Sequence, residues 1–403
     1  MGPPGTMPSG NAVTGKMRVL VLATRVPLRS GDGTPSFILD NLVSLTHECE
    51  IVVLAPRIAE SGRWTAQDGL TVRRFAYFPR RWESLADDAI MPQIGRAPWL
   101  WLQAASMTVA MLLVSIREHR RFRPDVVHAQ WIVPSGLIAA ILRLLLRTPY
   151  VLTSRGADAH LLNRWPILPL KRIAVRNATT FIGVSHAIAA QFADVAQSSI
   201  VQPSGVDFSW WEQRVGERSP EPGRVVFVGR LAEKKGVEVA LRAMCRVPTA
   251  SLRIVGHGPL MDDLKQTAER LAIADRVAFL GRQTREQIAN EFRNAMCVII
   301  PSVQAADGDR EGTPNVLGEA VASGVPVVAS DIDGLGNLLD VRSTGLLIDP
   351  GDASQLSESI NEVLSCPSFG TRLAEAAKQE LRPVLDIRQV SSRTLATYRD
   401  AIR

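Results

Sequence analysis

What most constrains the fold is a series of short, unbroken apolar runs, each followed by an amphipathic stretch, that begins at Met17 and begins again at Arg224. The first run is M-R-V-L-V-L-A-T (17–24). A loop, R-V-P-L-R-S-G-D-G-T-P-S-F, and an amphipathic stretch to His47 lead into I-V-V-L-A-P (51–56). Further strands are predicted at 71–76, 125–129, 149–153 and 179–183, with helical stretches between them. The alternation restarts with R-V-V-F-V-G (224–229) and recurs at 252–255, 277–280, 297–300 and 325–329. Strands of a parallel sheet are buried on both faces, so they read as continuous apolar runs and not as alternating ones. Two α/β sheets in series follow, with a seam near 200–222 where Pro203, Gly205, Pro220, Pro222 and Gly223 cluster.

The composition agrees. The 403 residues are 46% hydrophobic and 21% charged, which excludes pervasive disorder, collagen and coiled coil. Four cysteines, Cys49, Cys245, Cys297 and Cys366, form no C-x-x-C pair, so a disulfide scaffold and a zinc ribbon are disfavoured and the cytosol is the default compartment. Net charge is +6, unevenly spread: residues 1–205 hold 22 Lys and Arg against 13 Asp and Glu. A basic first half fits an anionic partner, a lipid surface or a phosphorylated substrate, or simply solubility; no nucleic-acid motif accompanies it. Residues 1–16 read as a disordered tail without the apolar core of a signal peptide, or as sequence upstream of a start at Met17. Residues 97–116 are long enough for a membrane span, yet Gln103, Ser106, Thr108 and Ser115 interrupt them. A buried or half-buried helix is expected, the other reading being a helix lying in the bilayer surface.

Three segments carry chemistry. E-G-T-P-N-V-L-G-E-A (311–320) sets Glu311 and Glu319 eight apart. Pro314 suits the first turn of a helix, where its missing N–H costs nothing, so a helix is predicted from 314 to Ser323, stopping at Gly324. The backbone N–H groups of Asn315, Val316 and Leu317 are then free to bind an anion, helped by the helix dipole. One acid ahead of the helix and one on its second turn suit hydroxyl-bearing groups on either side of a phosphate. The same pair also fits a cap or a salt bridge. V-G-R-L-A-E-K-K-G (228–236) places Arg230 and Lys235 at the carboxyl end of a strand, where open α/β sheets bind ligands. A planar fork beside a point charge suits a diphosphate, and a solvated basic loop is the alternative. In L-R-I-V-G-H-G-P-L (252–260), Gly256 and Gly258 allow close backbone approach to a ligand or make a tight turn.

In this order, and with F-L-G-R (279–282), I-I-P-S-V (299–303), G-V-P-V-V-A-S and T-G-L-L-I-D-P-G-D (344–352), the segments resemble the C-terminal half of glycosyltransferase family 4 over about 224–365. Looser echoes lie earlier: G-D-G-T-P-S-F (31–37), P-D-V-V-H-A-Q-W (124–131), T-S-R-G-A-D (153–158), V-S-x-x-I (184–188) and P-S-G-V-D (203–207). The grouping is similar to the branch that builds bacterial surface polysaccharides and teichuronic-type polymers. The resemblance implies an α/β chain of GT-B architecture, two Rossmann-like domains facing a central cleft. They would be an acceptor domain at 17–205 and a nucleotide-sugar domain at 206–385, with 386–403 crossing back to the first. It implies retaining, metal-independent, hexosyltransferase-type transfer from a nucleoside-diphosphate sugar, with no other cofactor and no protein nucleophile. Arg230 and Lys235 would hold the diphosphate and Glu319 the ribose. Glu311 would contact the donor sugar, and Gly312, Thr313, Pro314, Asn315, Val316 and Leu317, with Gly256 and Gly258, would complete the donor site. Gly33, Thr34, His128, Arg155 and Asp158 would lie on the acceptor side.

Two departures bear on chemistry. The family pattern T-x-H-G-x-D has Arg155 in place of its histidine, and arginine cannot act as a base though it can clamp a phosphate. His128, at the end of D-V-V-H-A, becomes the histidine expected at the cleft, the alternative being a structural hydrogen-bonder. Asp307-Gly308-Asp309 looks like a metal-binding D-x-D but sits in a polar loop, and no metal is expected there. The basic first half, P-R-R-W-E-S-L (79–85) and W-L-W-L (99–102) suit peripheral attachment to the inner face of the cytoplasmic membrane and a polyprenyl-diphosphate-linked or glycan acceptor. The rivals are a non-hydrolysing sugar-nucleotide epimerase, which would yield an epimer from donor alone, and a catalytically inactive sugar-nucleotide-binding protein. A dehydrogenase is disfavoured because no strand leads into G-x-G-x-x-G.

Overall fold

The computed structural model describes residues 15–27, 37–58, 64–67, 69–86, 97, 99–161, 163, 165–332 and 335–403. Gly33, Thr34 and all but the last two residues of the 1–16 tail lie outside them. The first lobe is built on β1 (Met17–Leu22), β2 (Cys49–Pro56), β3 (Trp64–Gln67), β4 (Leu70–Phe75), β5 (Val126–Ala129), β6 (Tyr150–Ser154), β7 (Thr180–Gly183) and β8 (Ser199–Val201). The second holds β9 (Arg224–Val228), β10 (Ser251–Val255), β11 (Val277–Gly281), β12 (Cys297–Ile300), β13 (Val327–Ser330) and β14 (Leu346–Ile348). The sheet orders are β3-β4-β2-β1-β5-β6-β7-β8 and β11-β10-β9-β12-β13-β14. All pairs are parallel except the β3–β4 hairpin.

The continuous apolar runs are explained by what lies on each face. Along β1, Val19 and Val21 enter one core cluster while Leu20 and Leu22 enter another on the opposite side. Along β9, Val225 and Phe227 face one cluster and Val226 the other. Each fully buried side chain of this kind contributes roughly 1.5–3 kcal/mol, so both sheets are held from two sides. The strand expected at 71–76 is β4, whereas its hairpin partner β3 and the three-residue strands β8 and β14 were not anticipated. Segments that short take their conformation from the neighbouring strand and carry no pattern of their own.

The segment expected at 97–116 forms the helix Leu100–Phe122. It runs on through the basic R-E-H-R-R stretch, which favours helix, and stops where Arg123 turns left-handed (φ 49°) ahead of Pro124. Gln103, Met107, Met111, Ser115 and Glu118 form its buried stripe. Gln103 donates to the Trp82 carbonyl (2.7 Å) and accepts from the Leu85 amide (3.3 Å), and Glu118 pairs with Arg73. Gln103, Ser106 and Ser115 thus face the lobe while Thr108 bonds back to the Ala104 carbonyl of its own helix, and the helix is half-buried. By length and composition it is also long and apolar enough to cross a membrane.

Two strands of chain pass between the lobes and meet. The Val206 amide donates to the Leu385 carbonyl (2.8 Å) and the Ile387 amide to the Val206 carbonyl (2.9 Å). The helix Pro367–Leu385 packs in the second lobe through Ala377, Leu381 and Leu385. The helix Ile387–Ile402 returns to the first, burying Tyr398 and Ala401 there.

Candidate active site

In the second sheet the strand order reverses between β9 and β12. Open α/β sheets bind ligands outside the carboxyl ends of the strands at such a point. The loops leaving these two strands carry Arg230, Lys234 and Lys235 on one side and Asp309, Glu311 and Pro314 on the other. Glycines let the loops stack backbone against backbone. A Cβ on Gly236 would lie 1.7 Å from the Pro301 carbonyl oxygen. The same addition at Gly256 would meet the Gly229 oxygen at 1.8 Å, and at Gly258 the Leu231 oxygen at 2.2 Å. On their Cβ side, Gly256 and Gly258 make room for the 229–231 backbone, as the tight-turn alternative expects.

The charges interlock. Lys235 Nζ lies 2.6 Å from Glu311 Oε2, and Lys234 Nζ lies 2.9 Å from Asp309 Oδ2 and 3.7 Å from Glu311 Oε1. Burial acts to raise the Glu311 carboxyl, but the Lys235 and Lys234 ammoniums outweigh it and hold it below the usual carboxylate range. Asp309 goes the other way: burial raises it, against Lys234. The Asp307–Asp309 turn is closed by the Asp309 amide donating to Asp307 Oδ1 (2.9 Å), so its second carboxylate faces a lysine. Among the described residues, no group of three or more His, Cys, Asp or Glu side chains is placed to hold a metal.

The helix expected from 314 to Ser323 runs Asn315–Ala322, with Pro314 in extended conformation at its N-cap. The Leu317 amide donates to the Pro314 carbonyl (3.1 Å), so Leu317 does not offer the free N–H expected of it. Asn315 and Val316, the first two amides, have no acceptor within the helix. Glu319 stands one turn in. Burial, with Asp40 adding, pushes its carboxyl up to about 7 against Arg285 and Lys235. Arg285 lies over the Trp210 ring, 3.8 Å from its centroid. Gly312 and Thr313 face the other lobe. Thr313 Oγ1 donates to the Val184 carbonyl (2.6 Å), and a Cβ on Gly312 would meet Val184 Cγ2 at 2.8 Å and the Arg155 carbonyl oxygen at 2.9 Å.

In the first sheet the order reverses between β1 and β5. Arg155 donates to Gln130 Oε1 (2.8 and 3.3 Å) and to Ser204 Oγ (2.6 Å), and its guanidinium lies 4.8 Å from the Phe37 ring centroid. Burial lowers it to about 10, with Asp158 opposing. Asp158 is an organiser of its loop. Its carboxylate accepts from the amides of Arg155 (3.0 Å), Gly156 (3.1 Å) and Ile132 (3.1 Å), while burial keeps its pKa above the ordinary value. His128 is 4% exposed, with Nδ1 2.6 Å from Tyr398 Oη and Nε2 2.8 Å from Thr153 Oγ1, the structural hydrogen-bonding expected as its alternative. Burial, with Arg155 adding, pushes it down to about 3, so it is neutral, and it lines a cavity of the first lobe with Gln130, Arg155 and Ser204. Gln130, Ser204 and the Lys234–Asp309 pair are neighbours that the sequence reading did not select. Of these, only the lysine doublet and the D-x-D look-alike at Asp307–Asp309 had a visible signal.

Two family models match the chain: "Glycosyl transferase 4-like domain" over residues 38–199 and "Glycosyl transferases group 1" over 210–380. The glycogen synthase of Mycobacterium tuberculosis is 28% identical over 316 residues, 74% of each chain. The amylovoran biosynthesis glycosyltransferase AmsK of Erwinia amylovora is 34% identical over 167 residues, 40% of this chain and 41% of that one. Among solved structures, the Anabaena protein HepE in complex with UDP-glucose superposes with a TM-score of 0.68 at 20% identity, covering 94% of this chain and all of that one. This last likeness carries the fold.

Proposed function

The chain belongs to family 4 of the GT-B glycosyltransferases, and on that premise we propose that it transfers a hexose, with retention at the anomeric carbon, from a nucleoside-diphosphate sugar to a hydroxyl of a cell-surface glycan or lipid-linked acceptor. The observation that carries the reading is the Lys235–Glu311 pair, with Arg230 on the same loop as Lys235, beside a helix start where the second sheet reverses its strand order. Arg230 and Lys235 take the diphosphate. To do so, Lys235 exchanges the Glu311 carboxylate for a phosphate oxygen, and Glu311 turns to the donor sugar. Glu319 accepts hydrogen bonds from the ribose, and the Asn315 and Val316 amides complete the anion site. As the diphosphate leaves, negative charge grows on it while the sugar becomes oxocarbenium-like. Cations already aimed at the leaving group stabilise that state more than the ground state. Side chains and the helix start supply this charge, so the reading includes no metal and no cofactor.

The UDP-glucose bound to HepE supports a sugar nucleotide as donor, and the role of AmsK in amylovoran biosynthesis supports a polysaccharide or its lipid-linked precursor as acceptor. The proposed place of action is the inner face of the cytoplasmic membrane. Arg230→Ala and Lys235→Ala should each lower turnover by about 10²–10³, the loss typical of one preorganised donor, while circular dichroism at the assay temperature stays that of the wild type; Lys235→Ala, which takes from Glu311 its 2.6 Å partner, also lowers the thermal midpoint. Near-normal turnover in both variants would refute the donor-site assignment.

A further inference from the structure

Among the described residues, ten of the twelve large apolar side chains that stand exposed belong to the first lobe. Most of them lie on three helices packed in sequence. Leu100–Phe122 contacts Leu137–Leu146, which contacts Ile167–Arg176. All three bury their inner faces in one core cluster on one side of the first sheet, through Met107 and Met111, Leu142, and Ala174 and Val175. Their outer faces therefore point away from that sheet together. The first helix presents Trp101, Val109 and Leu113, at the four- and eight-residue spacings of a single stripe. The second presents Leu144, 81% exposed, and Leu145. The third adds Ile173, with Trp165, 85% exposed, just ahead of it.

The charge on this face is mostly of one sign, the exception being Asp194, which pairs with Arg172 of the third helix. Arg117, Arg120 and Arg121 end the first stripe, and Arg147 and Arg176 stand exposed at the ends of the other two helices. The only carboxylate in the three helices is Glu118, buried and paired with Arg73. A second copy of this chain is a poor occupant, because a two-fold interface would set arginines against arginines. A phosphate-bearing leaflet offers what the face lacks. Exposed tryptophans have the amphipathic rings that settle at headgroup level, and arginines at the helix ends reach the phosphates. We propose that this three-helix face docks the first lobe on an anionic phospholipid bilayer, the helices lying along the surface and not crossing it. The Gln103 and Glu118 side of the first helix stays bound to the lobe. The inference deepens the proposed membrane location and rests on it.

The test is co-flotation of the full chain with vesicles of phosphatidylcholine alone or containing phosphatidylglycerol. The wild type should float with anionic vesicles at low salt, and at least tenfold less with neutral vesicles or at high salt. The double variant Leu144→Glu/Leu145→Glu should cut flotation at least tenfold. So should Val109→Glu/Leu113→Glu. Both pairs already face solvent, so circular dichroism and nucleotide binding should be those of the wild type. Variants that float like the wild type would place the membrane contact elsewhere and overturn this face while leaving the membrane location standing. A wild type that never floats overturns both. A wild-type dimer that the variants split into monomers would give the face to a second copy. Turnover on a water-soluble acceptor, read in the same preparations, tests the transferase reading independently.

Discussion

Glu311 and Glu319 lie eight residues apart, and their surroundings push them in opposite directions. Glu311 is held ionised between two ammoniums, so it is a resident counter-ion that a diphosphate has to displace from Lys235. Glu319, pushed up to about 7 mainly by burial, keeps in the folded protein a proton that the unfolded chain, with an ordinary value of 4.5, has lost. Folding stability from this residue is therefore full below about pH 4.5 and drains as pH rises toward about 7, with a slope of at most ~1.4 kcal/mol per pH unit. Glu319→Gln should flatten that part of the profile, measured as thermal midpoint against pH. Binding has the reverse sign. Only the ionised carboxylate makes charge-assisted bonds to ribose hydroxyls, so nucleotide affinity by calorimetry should rise between about pH 6 and 8. Glu319→Gln should lose about tenfold in affinity at the upper end, in keeping with ~1.5 kcal/mol for such a bond, and show no rise. A variant that keeps the wild-type rise would remove Glu319 from the ribose site.

At the scale of elements, the site is a stack of loops whose spacing is set by glycine. Gly236 and Gly281 have nearly the same backbone, φ +63° and +67°, but a Cβ at Gly236 would strike the Pro301 carbonyl at 1.7 Å, while at Gly281 nothing lies within 4 Å. Gly281→Ala should cost only the left-handed strain, ~1–2 kcal/mol. Gly236→Ala adds a collision with backbone and should cost on the order of 3–5 kcal/mol, as read by chemical denaturation. Equal costs would mean that the loops yield freely. The same stacking explains what was legible in the sequence and what was not. Strand runs, the helix after Pro314 and the pairs Arg230–Lys235 and Glu311–Glu319 follow from local pattern, because each is written within one short segment; that Lys235 meets Glu311, 76 residues on, was implied only by the family resemblance. Gly256 and Gly258 announce that something approaches closely, but not that it is the chain at 229–231. The hydrogen bond that holds the His128 ring was not legible because its partner, Tyr398, lies 270 residues away on a helix that returns from the other lobe. The outer face of three helices was legible only in its first third, at 97–116, since the exposure of Leu144, Leu145 and Trp165 depends on how the helices pack.

Across the whole molecule, the loop proposed to hold the donor is also the joint. Residue 311 belongs to the charge cluster of the second lobe. Gly312 and Thr313 touch the first lobe at the turns after β7 and β6, at Val184 and Arg155, and Arg155 is a residue that the proposed function sets on the acceptor side. A side chain at 312 has no room. Its Cβ would lie 2.8 Å from Val184 Cγ2, 2.9 Å from the Arg155 oxygen and 3.2 Å from Ile188 Cδ1, so Gly312→Val has to separate the 310–313 loop from the 184–188 turn. Separation leaves Arg230 and Lys235 on their own loop with the second lobe intact, so nucleotide Kd should stay within about threefold of the wild type. Transfer needs both lobes in register, and a displacement of about 1 Å is enough to lower kcat by about 10². A kcat that falls while Kd holds would identify the loop as the element that sets donor against acceptor. A Kd that weakens as far as kcat falls would mean that Gly312 acts inside the donor pocket, and that the contact with Val184 is incidental to catalysis.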